Sequence, residues 1–127
     1  MTSEEVSGAG MRVLVVEDEL MIRMLLQDML DDLGHTLAGE AGHIDEALAL
    51  AKRAEFDVAI LDVNLGGQPI SPVVEVLIAR GLPFVFATGY GQRGVPERYS
   101  KIPTLQKPFQ ADALALALEA AVPVRRN

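Results

Sequence analysis

The chain has 127 residues, half of them hydrophobic and 23% charged, which is the profile of one soluble globular domain with a core of its own. It has no cysteine, which excludes disulfides and thiolate metal sites and favours a reducing compartment. A net charge of −7, with eleven Lys and Arg scattered along the chain, argues against direct binding of nucleic acid.

Residues 1–10 are polar and without periodicity, and read as a disordered N-terminal tail. They lack the basic start and apolar stretch of a signal peptide, and no apolar run approaches the roughly 20 residues that cross a bilayer, so a cytoplasmic protein without a membrane partner is expected. Arg12 to Val16 is a short β-branched run and reads as the first strand. Ile22, Leu26, Met29, Leu30 and Leu33 then recur at helical spacing, and Gly34 closes that helix. Thr36 to Ala41 reads as a weak second strand, flanked by His35 and His43, both expected at the surface. Ile44, Ala47, Leu48 and Ala51 mark a second amphipathic helix, and Phe56 to Leu61 a third strand. Ser71-Pro72 reads as a cap and a first-turn proline, opening a helix that runs to Arg80 before Gly81.

Pro83 to Thr88 is the fourth strand. Gly89 to Ser100 contains three glycines and a proline, so a fourth helix there is expected to be short or disordered. Pro103 to Gln106 makes a fifth strand. Gln110 to Val122 alternates Ala and Leu with the period of a strand, but both are strong helix formers, and propensity decides for helix. Residues 11–122 thus form one domain and 123–127 a C-terminal tail. Strands alternating with helices imply a doubly wound parallel α/β sheet, whose ligand site lies beyond the carboxyl ends of the strands.

At those ends stand Glu17 and Asp18, Asp62, Thr88 and Lys107. Three carboxylates about 4 Å apart repel by roughly 4 kcal/mol per pair at an effective dielectric near 20, so they either protonate or hold a cation. All-oxygen donors suit Mg²⁺. A metal beside a carboxylate, an ammonium and a hydroxyl suits phosphoryl transfer to Asp62, with Lys107 neutralising phosphoryl oxygens and Thr88 donating a hydrogen bond. Each residue alone has a plainer reading: the acidic run could complement the positive end of the first helix, Asp62 could start a turn, and Thr88 and Lys107 could be ordinary strand and surface residues. Their coincidence at four strand ends weighs against that.

Val-Val-Glu17-Asp18-Glu, Ile-Leu-Asp62-Val-Asn64, Ala-Thr88-Gly89 and Lys107-Pro108-Phe109, in this order and spacing, resemble the motif set of response-regulator receiver domains of two-component signalling. The resemblance spans roughly Arg12 to Ala121. It implies the flavodoxin-like receiver fold with strand order 2-1-3-4-5. It also implies Mg²⁺ on Asp18, Asp62 and the main-chain carbonyl of Asn64, with Glu17 acting through a water, and a cis bond before Pro108 that would aim Lys107 into the site. Thr88, Gly89 and Lys107 are then the phosphoryl-binding and switch residues. The partners implied are a sensor histidine kinase or phosphotransfer protein and an unidentified downstream protein, with the receiver monomeric or weakly dimeric when phosphorylated. Such a domain is a switch with slow self-catalysed dephosphorylation rather than an enzyme. The few residues after the last helix cannot fold into an output domain, so a stand-alone receiver is expected.

Phe86-Ala-Thr-Gly-Tyr-Gly91 further resembles a receiver subgroup, often single-domain, some of whose members serve the general stress response of alphaproteobacteria. One position departs from the family. The usual aromatic switch residue, three before the lysine, is replaced by Thr104, so switching is expected to fall on the loop from Gly89 to Ser100, with Tyr90 in the aromatic role. Arg93, Arg98 and Tyr99 of that loop are expected to be solvated or to contact a partner. Gly89-x-Gly91-x-x-Gly94 matches a dinucleotide fingerprint, but follows the fourth strand and opens no helical pattern. Two alternatives stay open. One is a small Mg²⁺-dependent aspartyl-phosphate phosphohydrolase, whose motif would need a second Asp where Asn64 stands. The other is a pseudo-receiver that binds partners without phosphate.

Overall fold

The short β-branched runs are too apolar to face water on either side, and in the computed structural model, which describes residues 10–89 and 94–122, they line up as a parallel sheet covered on both faces. Its strands are β1 (Arg12–Val16), β2 (Thr36–Ala41), β3 (Val58–Asp62), β6 (Phe84–Thr88) and β7 (Thr104–Gln106), in the order β2-β1-β3-β6-β7. Strands β4 (Asn64–Leu65) and β5 (Gln68–Pro69) form a separate antiparallel hairpin. With the hairpin left out of the count, the order is the expected 2-1-3-4-5. The sequence reading missed this hairpin, although its turn is Gly66-Gly67, both with positive φ as such two-residue turns require.

Side chains alternate between the two faces. Leu14, Val16, Ala59, Leu61, Phe84 and Phe86 meet Ala47 and Ala51 of α2 (Ile44–Arg53) and Val73, Val74 and Leu77 of α3 (Ser71–Arg80). Val13, Val15, Val58, Ile60, Val85, Ala87 and Leu105 meet Leu26 and Leu30 of α1 (Leu20–Asp32) and Leu114 and Leu118 of α4 (Ala111–Ala121). No helix among the described residues is long and apolar enough to cross a membrane.

Two helix ends show how the layers are tied. Ser71 is the first residue of α3 and not its cap; Ile70 holds that position without a side-chain hydrogen bond, and Pro72 sits in the first turn, where no amide partner is needed. The cap expected at Ser71 is therefore absent. At the other end Gly81 takes a left-handed conformation (φ 70°), and Arg80 donates to the carbonyls of Ala51 and Ala54 at 2.7 and 3.2 Å, joining α3 to the end of α2.

Between β6 and β7 the described residues include a 3₁₀ turn, Glu97–Tyr99, and no α-helix, in line with the proline and glycines there. Tyr99 corrects the sequence reading: it is 7% exposed, a core residue and not a solvated one. Its ring lies 5.6 Å from that of Phe86, its hydroxyl donates to Glu75 Oε2 at 3.3 Å, and the Arg98 guanidinium lies 4.9 Å over it. Among the described residues no α-helix stands between β6 and β7, and the ring packs on Phe86. Tyr90 and Arg93 lie outside the described residues, as do positions 1–9 and 123–127.

His35 is half-buried, and its Nδ1 accepts the Met11 amide hydrogen at 3.2 Å. Burial lowers its pKa below the ordinary value of 6.5. The folded chain then binds this proton less readily than the unfolded chain, so stability that is complete above about pH 6.5 declines as the pH falls below it. Thermal unfolding measured across that range is expected to show a smaller acid-side decline in His35→Gln than in wild type; identical profiles would exclude the linkage. For Tyr99, denaturant unfolding is expected to show a loss of about 3 kcal/mol in Tyr99→Ala from the emptied ring site and about 1 kcal/mol or less in Tyr99→Phe.

Candidate functional site

Strand register brings the site together. Val16 pairs with Leu61, Asp62 with Ala87 and Thr88 with Gln106, so Glu17, Asp62, Thr88 and Lys107 stand at or just past the carboxyl ends of the neighbouring strands β1, β3, β6 and β7. The strand order reverses between β1 and β3, which is where the helices diverge to opposite faces and leave a crevice.

Glu17, Asp62 and Thr88 are buried while Asp18 is exposed at the rim. Carboxylate oxygens of Glu17, Asp18 and Asp62 all lie within 4.8 Å of one another. Lys107 reaches in from the far side, its Nζ 2.8 Å from Glu17 Oε1 and 3.4 Å from Asp62 Oδ2. The peptide bond between Lys107 and Pro108 is cis, and the Lys107 amide donates to the Thr88 carbonyl at 2.9 Å. The Asn64 amide donates to Asp62 Oδ1 at 3.2 Å, which sets the Asn64 backbone beside the carboxylate. Gly89 follows Thr88 in an exposed turn, with open space where a side chain would stand. His43 is exposed, as expected.

The electrostatics follow from crowding. Burial first, and then repulsion from Glu17, push the Asp62 carboxyl up to about 7 against the pull of Lys107. Asp18 moves the other way: burial would raise it, but hydrogen bonds from Asp62, Glu17 and the Gly66 amide hold it below the ordinary carboxylate range. Burial would lower Lys107, yet its bonds to Glu17 and Asp62 raise it. Three carboxylates facing one ammonium leave an excess of negative charge on hard oxygen donors, and that arrangement fits a divalent cation.

Two features of the site escaped sequence reasoning. Gly66, in the hairpin turn, presents its amide to Asp18; the Gly-Gly pair was a readable turn signal. Leu20, Met21 and Met24, at the start of α1 beside Asp18, are 59, 81 and 56% exposed. They lie off the buried stripe of α1, and an apolar residue out of phase with its helix is the signal that marks them.

Fold and site together define the flavodoxin-like receiver class of α/β proteins. The family model for the response regulator receiver domain matches residues 13–119, and the chain belongs to that family. The transcriptional regulatory protein PdtaR of Mycobacterium tuberculosis is 36% identical over 125 residues, 95% of this chain, while this chain spans 61% of PdtaR's length. The solution structure of SdrG from Sphingomonas melonis Fr1 superposes with a TM-score of 0.81 at 45% identity, covering 91% of this chain and 98% of SdrG. The response regulator PhyR from Brucella abortus gives a TM-score of 0.74 at 30% identity, over 90% of this chain and 48% of PhyR.

A cation entering the crevice has to displace the proton that Asp62 holds below about pH 7. Affinity for Mg²⁺ is therefore expected to rise with pH, by roughly tenfold from pH 6 to pH 8. Calorimetric titration at both values checks this, and a pH-independent affinity would contradict it.

Proposed function

We propose that this chain is a phosphoacceptor switch, charged on Asp62 by a histidine kinase or phosphotransfer protein and read by a downstream protein. The observation that carries this reading is the Lys107 ammonium set between buried Glu17 and Asp62, at the edge where Asp18 and Thr88 also converge. Mg²⁺, held by Asp18, Asp62 and the Asn64 carbonyl with Glu17 behind them, would supply neutralisation of the phosphoryl oxygens.

Every other part falls to side chains. An oxygen of Asp62 attacks the phosphorus of a phosphohistidine; the P–O bond forms as the P–N bond breaks, and the leaving imidazole nitrogen keeps the electron pair and takes a proton from solvent. Lys107 faces one phosphoryl oxygen and the Thr88 hydroxyl donates to another, with the open turn at Gly89 leaving room for the group. Attack of water on phosphorus later restores the carboxylate and releases inorganic phosphate. The exposed apolar start of α1 beside Asp18 suits a protein donor better than a small one.

The signal leaves through β6. Thr88 ends that strand, and Phe86, two residues back, supports Tyr99 and through it the described end of the Gly89–Ser100 segment. With Thr104 in the usual aromatic position, its hydroxyl bonded to the Ile102 carbonyl, we assign reporting of phosphorylation to this segment. The Phe86–Gly91 motif, by resemblance, suits a stress-response pathway in the cytoplasm.

The test is an amide-shift titration with BeF₃⁻ and Mg²⁺, in wild type and Asp62→Ala. Shifts around Thr88, Lys107 and Tyr99 that need both ions and vanish in Asp62→Ala are expected. Absence of any response in wild type would sink the phosphoacceptor reading, and sustained turnover of a small phosphate ester would replace it with a phosphohydrolase.

A further inference from the structure

We infer that Arg23 is a positioning residue for the acidic site: its guanidinium holds the β1–α1 corner that carries Glu17 and Asp18, and Gly42 is glycine to make room for it. The inference rests on the metal-site reading above. In the sequence, Arg23 looks like a solvated charge between Ile22 and Met24. In the fold its side chain is only 18% exposed, folded back across the start of α1.

One hydrogen bond and one ion pair hold it. Nη1 donates to the Glu17 carbonyl at 2.7 Å, and Nε lies 3.0 Å from Glu40 Oε1 near the end of β2. The space at Gly42 admits it. A Cβ on Gly42 would stand 2.5 Å from Nη1, closer than nonbonded atoms approach, so any side chain there displaces the guanidinium. Gly42 does not have a left-handed φ, so backbone strain gives no reason for glycine at this position. Space for Arg23 does.

The Glu17 carbonyl belongs to the peptide unit that leads into Asp18. Glu17 itself is tied on its amide side to the Ala41 carbonyl (2.9 Å), and the Glu19 amide donates to Glu17 Oε2 at 3.1 Å. Arg23 thus secures the one carbonyl that sets how the chain turns from a buried carboxylate to an exposed one, and it does so from the adjacent strand edge. It also lines, with Asp18, Glu40, Gly42, His43 and Glu46, a cleft of about 230 Å³ open to the site, where its charge offsets part of the local acidity. Groups that orient metal ligands from behind commonly govern 10- to 100-fold in affinity.

The experiment measures Mg²⁺ affinity by amide-shift titration, alongside hydrogen exchange of the Asp18 and Glu19 amides without metal. It uses wild type, Arg23→Met, Arg23→Lys, Gly42→Ala and the double variant Arg23→Met with Gly42→Ala. Arg23→Met is expected to weaken Mg²⁺ by about tenfold, and Arg23→Lys, which can reach only one of the two acceptors, by less. Gly42→Ala should weaken it in the same direction with the fold intact. Because it acts only by expelling the guanidinium, it should add nothing to Arg23→Met. Affinities of Arg23→Met and Gly42→Ala within about twofold of wild type, or a full Gly42→Ala effect persisting in the double variant, would overturn the assignment. If Arg23→Met fails to fold, Gly42→Ala decides alone. If wild type takes no Mg²⁺, the metal reading fails separately, and exchange still judges the positioning: faster Asp18 and Glu19 amides with unchanged β1 amides support it, and unchanged rates defeat it.

Discussion

The structure turns on the repulsion between two buried carboxylates. Glu17 and Asp62 end adjacent strands in register, so the pairing that builds the sheet also forces their charges together, and burial removes the water that would screen them. Lys107 answers part of the conflict by contacting both. What remains shows in Asp62, whose proton is held to about pH 7. Such a crowd of carboxylate oxygens suits a positive charge, which is the ground for the proposed phosphoacceptor role of Asp62.

The scaffold makes this tension local. Apolar side chains pack on both faces of the sheet, and the charges gather at its carboxyl edge. At that edge each functional side chain is held by its own strand end, and the short hairpin after β3 adds an amide donor for Asp18.

β6 joins the site to the rest of the molecule. Its last residue, Thr88, stands in the crevice, while Phe86 packs Tyr99 against the α2 and α3 face. Tyr99 bonds Glu75 on α3, and Arg98 donates to Ser71 at the start of the same helix (3.4 Å). A change at Thr88 therefore meets a continuous path of packed and bonded groups that ends on an exposed helix surface. Thr104 stands where the family usually has an aromatic residue, and the ring against Phe86 comes from Tyr99 in a turn.

Most of the architecture was legible in the sequence, because apolar period and turn residues act locally. Arg12–Val16 and Thr36–Ala41 form with the bounds their patterns indicate, and the Ala/Leu segment is helical because propensity outweighs its misleading period of two. The acidic pair, Asp62, Thr88 and Lys107 were legible too, since a parallel sheet sends all its strand ends to one edge. Tertiary structure alone decided the rest. Tyr99 is buried because its ring packs on Phe86, and Ser71 caps nothing because Ile70 takes that place. Arg23 and Gly42 meet only because β1 and β2 are neighbours. These are contacts between segments distant in sequence, and no local pattern encodes which partner a side chain will find once the layers close.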